Sequence, residues 1–129
     1  MAEIVLRIAG ASLDLDTCRA KLPASLVQRV WRIGMSDSVL NKTPPADNGI
    51  NLLLADADDD AVAMVQALET LRSISATITE LTRDDVRAVA DIGLFVEQGQ
   101  MHSIALPVAL LDLLSSQNIA LTISCYPVA

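Results

Sequence analysis

Several separate segments of the chain alternate apolar and polar residues with a period of two, and this pattern most narrows what it can fold into. Ile4, Leu6 and Ile8 alternate with Glu3, Val5, Arg7 and Ala9 up to Gly10, the signature of a strand with one buried face. Val27 to Ile33 repeats the pattern, with Gln28, Val30 and Arg32 on one face and Val27, Arg29, Trp31 and Ile33 on the other. Ile92, Leu94 and Val96 alternate with Asp91, Gly93, Phe95 and Glu97; Ile119, Leu121, Ile123 and Cys125 alternate with Ala120, Thr122, Ser124 and Tyr126. Ile50 to Leu54 is a short, strongly apolar strand expected to be covered on both faces.

Helical spacing fills the intervals. Asp14 to Leu22 places Leu15, Cys18 and Leu22 on one side, with Ser12 or Asp14 as its cap and Pro23 after its end. Asp56 to Asp60 opens a longer helix in which Ala61, Val62, Met64, Val65, Leu68 and Leu71 follow a three-four spacing. Ile74 to Ala90 reads as a broken helical stretch, although Thr77, Ile78 and Thr79 also suit a strand. Pro107 suits the first turn of a helix carrying Val108, Leu111 and Leu114. Gly34 to Gly49 is rich in Ser, Asp, Asn and Pro and reads as loop. The order β-α-β-β-α(α)-β-α-β predicts one α+β domain over residues 1–129. We expect a two-layer sandwich, a mixed or antiparallel sheet of about five strands with helices mainly on one face. The central β-α-β-β-α-β portion permits a ferredoxin-like core.

Composition then excludes function classes. With 52% hydrophobic and 19% charged residues, the chain of 129 residues is neither a disordered tail nor a linker. Only 2% of residues are aromatic, so Leu, Ile, Val and Ala must build the core. A net charge of −7 argues against nucleic acid or an anionic membrane as partner. Met1 to Gly10 carries Glu3 and Arg7 where a secretion signal would be apolar, and Ser115, Ser116, Gln117 and Asn118 interrupt the charge-free run from Leu113. A cytoplasmic location is expected. Cys18 and Cys125, without C-x-x-C spacing, are expected to be small buried hydrophobes.

Several landmarks together resemble a bacterial family known as domain of unknown function 4279. They are Leu6-Arg7-Ile8-Ala9-Gly10 followed by Leu13-Asp14-Leu15-Asp16, then Leu22-Pro23, then Trp31-Arg32-Ile33-Gly34. The close runs from Leu106-Pro107 through Leu110-Leu111 to Leu121-Thr122-Ile123-Ser124-Cys125-Tyr126. The resemblance spans nearly the whole chain. It implies a small bacterial protein with no established activity, cofactor or catalytic residues, and it is compatible with a partner or immunity role toward toxins.

The residues themselves supply no catalytic constellation. Asp56, Asp58 and Asp60 match positions one, three and five of a calcium loop, but Ala61 and Ala67 stand where its glycine and bidentate glutamate are required. Carboxylates there complement a helix N-terminus instead. His102 is the single histidine, without a G-x-S-x-G elbow or a ligand set for zinc, and is expected to be an exposed turn residue. Phosphate-cradling glycine motifs are absent as well. No catalytic residue, metal or cofactor is therefore assigned.

Charge is distributed unevenly. Residues 1–42 carry six basic and four acidic side chains and the rest three basic and twelve acidic, a split of +2 against −9. This favours a non-enzymatic module that binds a basic protein partner through Asp58, Asp59, Asp84 and Asp85. The competing expectation is a small-molecule or enzymatic site, an anion pocket formed by Arg29, Trp31 and Arg32, the only aromatic-basic cluster. Trp31 is either core or interface anchor. A homodimer through a strand edge such as Ile119–Tyr126 is a third reading.

Overall fold

A computed structural model describes residues 1–35 and 44–128. The middle of the predicted loop Gly34–Gly49 thus lies outside the described residues. The strands are β1 (Ala2–Gly10), β2 (Val27–Trp31), β3 (Asn48–Ala57), β4 (Arg87–Glu97) and β5 (Ala120–Val128). The α-helices are α1 (Leu15–Lys21), α2 (Asp60–Leu81) and α3 (Val108–Ser116), and a 3-10 turn covers Ala24–Leu26. Together they form the expected α+β two-layer arrangement.

The five strands make one sheet in the order β2-β3-β1-β4-β5. β1 runs antiparallel to both β3 and β4, and β2 antiparallel to β3, whereas β5 is parallel to β4. The first four strands are thus compatible with a ferredoxin-like arrangement, and β5 extends it beyond α3. One face of the sheet carries Ile4, Leu6, Ile8, Ile50, Leu52 and Ile92, all buried in a single cluster with Leu15 and Cys18 of α1, Met64, Leu71 and Ile78 of α2, and Leu110 and Leu114 of α3. Burial pushes the Cys18 thiol up to about 11, with Asp14 nearby adding to the effect. That matches its expected role as a small hydrophobe, but Cys125 is exposed on β5.

Local signals explain the helix starts. Asp14 caps α1, its carboxylate accepting from Asp16 N–H, Thr17 N–H and the Thr17 hydroxyl. Asp59 caps α2 by accepting from Val62 N–H at 3.1 Å.

Three expectations need correction. The broken stretch after Ile74 is continuous helix to Leu81, because Ile74, Ile78 and Leu81 extend the buried stripe of Met64, Ala67 and Leu71. Thr77 and Thr79 fit within it, and Thr79 Oγ1 donates to the Ser75 carbonyl one turn back. The buried face of α3 is Leu110 and Leu114, leaving Val108 72% and Leu111 40% exposed. Ile50–Leu54 is covered on one face only: Asn51 and Leu53 are half-buried on the side away from the helices.

Candidate functional site

All three helices join the core on one side of the sheet, so among the described residues no helix covers the opposite side. Strand register arranges its residues in rows, because directly paired residues share a face. One row runs Arg29, Asn51, Arg7, Val89, and the next Leu53, Val5, Asp91, Thr122. Beyond these come Asp56, Glu3, Gly93 and Ser124, then Phe95 and Tyr126. A hollow of about 700 Å³ spans the middle of this face.

Its two ends differ chemically. At one, Phe95 and Tyr126 stack with centroids 5.4 Å apart. The Tyr126 ring lies against Gly93, where a Cβ would come within 3.2 Å of it. Ser124 Oγ donates to Asp91 at 2.8 Å. Glu3 and Asp56 stand opposite each other, two carboxylates paired in register.

At the other end Trp31 is 8% exposed, yet it is not in the main core. Its ring lies on Gly49, and its indole N–H donates to Asp47 at 3.1 Å. The guanidinium of Arg7 stands 4.9 Å from the ring centroid and that of Arg29 5.6 Å, both within cation–π range. Asn51 lies between the two arginines, its buried Oδ1 without a hydrogen-bond partner among the described residues. These groups border a smaller hollow of about 280 Å³.

The predicted cluster is therefore only partly assembled. Arg29 and Trp31 come together, but Arg32 does not join them; it lies past the end of β2, with its guanidinium 3.8 Å from Asp16 of α1. Arg7 takes that place. The alternation in β1 already put Arg7 on the polar face, but only the strand order β2-β3-β1 brings it two strands from Arg29.

The four predicted acidic contacts are not gathered either. Asp58 and Asp59 stand at the start of α2 and Asp84 and Asp85 beyond its end, separated by 22 helical residues, or about 33 Å. Asp85 is engaged within the fold, accepting from Ala11 N–H at 2.5 Å and from the Ser12 hydroxyl. Asp84 has a φ of 57° in the tight turn before β4.

His102 is held by Asp60, its Nε2 2.6 Å from Oδ2, while Oδ1 lies 3.3 Å from the Met1 amino group. Burial alone would raise the Asp60 carboxyl, but the hydrogen bond with His102 and the charge of the terminal amine outweigh it and hold the group below 3.8. Asp85 is lowered too, chiefly by the Ser12 hydroxyl and against some desolvation. A carboxyl lowered in the folded state stabilises the fold above its unfolded value and loses that contribution as pH falls through the folded value. The melting temperature should therefore fall as the pH drops below about 4. Asp60→Asn and Asp85→Asn should each flatten that fall in a pH series of thermal melts; an unchanged slope in both would refute the assignment.

Among the described residues, no three His, Cys, Asp or Glu side chains group as metal ligands, and no helix is long and apolar enough to cross a membrane. What fold and site define is a two-layer α+β protein with one uncovered, bipolar sheet face. In comparisons with known proteins, no family model, curated protein or solved structure matches the chain.

Proposed function

We propose that this protein is a non-enzymatic protein-binding module of the bacterial cytoplasm, and that its contact surface is the uncovered sheet face. The supporting observation is a sheet face that no described helix covers, with Val5, Leu53 and Val89 half-buried at its middle, Phe95 at one end and charges of both signs around them. Contiguous apolar surface rimmed by polar groups marks a binding site. Glu3 and Asp56 suit a cationic patch on the partner, which keeps the expectation of a basic partner but moves the acidic contacts from the helix ends to the sheet. An immunity-like role, as the resemblance to the domain of unknown function 4279 family implies, is one version of this proposal.

Thr122 is exposed on this face and offers a plug with little effect on the core. A tagged Thr122→Arg bait should lose the partner that the wild-type bait captures from its source lysate. Asp58→Lys/Asp84→Lys should keep it. The opposite pattern would return the contact to the helix ends, and a wild-type bait recovering nothing would overturn the proposal.

A second reading rests on two guanidinium groups converging over Trp31. An anion bound there would perturb the single tryptophan, so a saturable change in emission on adding inorganic phosphate supports it, and a flat titration removes it.

A further inference from the structure

We infer that the outer edge of β5 pairs with itself: a second copy of this chain docks its own β5 there, antiparallel, about a two-fold axis through Ile123. The two edges of the sheet are β2 and β5. β2 is blunted, with only five residues, the charged Arg29 and a break in register between Val27 and Arg29. Short length, charge and irregularity are what keep an edge from recruiting another strand. β5 has none of them. Its nine residues, Ala120–Val128, carry no charged side chain and follow β4 without a register shift. Ile123 and Cys125 pair with Ile92 and Leu94 on the helix side, yet Ile123 is 47% exposed and Cys125 is exposed as well.

The ladder decides which backbone groups of β5 point outward. The Val128 carbonyl accepts from Gln98 N–H at 3.2 Å, so Val128 turns its backbone toward β4. Alternation along the strand then directs Thr122, Ser124 and Tyr126 to β4, and Leu121, Ile123, Cys125 and Pro127 outward. Pro127 agrees, because a proline in a strand keeps its missing N–H off the ladder. It also closes the row of outward donors at one end. At the other end, Ile119 N–H is already given to the Leu114 carbonyl at 2.8 Å. What remains is Leu121, Ile123 and Cys125, a set symmetric about Ile123. Antiparallel pairing about that residue sets Ile123 against Ile123 and Leu121 against Cys125 of the other copy. Every outward N–H and C=O of these residues then meets its complement, and the contact is isologous. Centring on Ser124 instead would face the Leu121 carbonyl with Pro127, which has no N–H to donate. Side chains agree with the first register, since Thr122 meets Ser124 of the other copy and no charges are opposed. A chain of net charge −7 thus meets its copy where neither strand is charged. The axis stands normal to the sheet, so the helices of both copies lie on one side and their opposite faces join into one surface.

Cross-linking reads the register. In a Cys125→Ala background, Ile123→Cys should oxidise to a disulfide-linked dimer, because directly opposed, hydrogen-bonded residues have Cα atoms about 5.5 Å apart, within disulfide reach. Ala120→Cys in the same background should not, since its two copies stand about 20 Å apart along the paired strands. Cys18 is buried and leaves the readout clean. In sedimentation velocity the wild type should be a dimer of two 13.7 kDa chains. Ile123→Lys should associate at least about tenfold more weakly, because it opposes two ammonium groups across the axis, and should keep the wild-type circular dichroism spectrum. That substitution points to the helix side, so capture of a partner through the opposite face should survive it, and the two readings fail separately. A wild type that stays monomeric at its highest soluble concentration would overturn the inference. So would a dimer that does not cross-link at position 123, equal cross-linking at 120 and 123, or an Ile123→Lys variant that dimerises like the wild type.

Discussion

Gly49→Ala should drive the Trp31 ring out of its slot and shift the protein's single tryptophan emission to the red. A Cβ at position 49 would lie 1.9 Å from Cζ2 and 2.1 Å from Cε2 of the indole, inside the ring's van der Waals surface. The ring has little room to slide. Asp47 holds its N–H, and Arg7 and Arg29 cover the ring. Rotation into solvent is the remaining route, and it sacrifices the burial of the largest side chain on this face. Overpacking of this kind costs about 1–3 kcal/mol, and ejection of the ring places this site at the upper end. Trp31→Ala removes the obstacle, so Gly49→Ala added to that background should be close to neutral; denaturant melts of the four proteins give the coupling. Unshifted emission in Gly49→Ala would mean that the slot yields, and that Trp31 is not held as described.

Gly10→Ala should be at least as damaging, for a different reason. At Gly49 the obstacle is a side chain. At Gly10 the new Cβ would lie 2.7 Å from the Val86 Cα and 2.9 Å from the Asp85 carbonyl oxygen, which are backbone. Main chain cannot swing aside, so the end of β1 and the turn before β4 must separate. That movement also pulls Ala11 and Ser12 from the Asp85 carboxylate. A loss of about 3 kcal/mol in denaturant unfolding is expected, at the top of the overpacking range. The Ala11 and Ser12 amides should exchange faster, whereas those in the middle of α2 should follow only the global change. Stability within about 0.5 kcal/mol of the wild type would refute the close approach, since that is the ordinary effect of an unremarkable surface change.

The fold was legible where one residue pattern had one physical cause. β1 could be read from Ile4, Leu6 and Ile8 because its other face turns away from the helices and so stays polar. The start of α1 followed from Asp14, whose carboxylate does what an N-cap carboxylate does anywhere. The length of α2 was hidden because Thr77, Ile78 and Thr79 are β-branched and favour strands locally, while their helical state is set by the burial of Ile74, Ile78 and Leu81 against the sheet. Leu53 was misread because an apolar side chain fits both a covered face and an open one. The candidate site was legible in its members from one strand only. Arg29 and Trp31 are two residues apart on β2, but Arg7 reaches them through strand order, and strand order leaves no periodic trace. The four aspartates looked like one surface because the unbroken length of α2 was hidden, although that 22-residue helix holds them apart.

The position of β1 has a consequence during synthesis. This strand is translated before both of its partners yet lies at the centre of the sheet, hydrogen-bonded to β3 and β4 on either side. At about 5–20 residues per second, the ribosome needs several seconds to pass from Gly10 to the end of β4. Until then Ile4, Leu6 and Ile8 lack β4, one of the two strands that flank them. The nascent chain therefore carries an unfinished β-edge until β4 emerges, and factors that shield emerging apolar segments should engage it early and release it only once Arg87–Glu97 has cleared the exit tunnel.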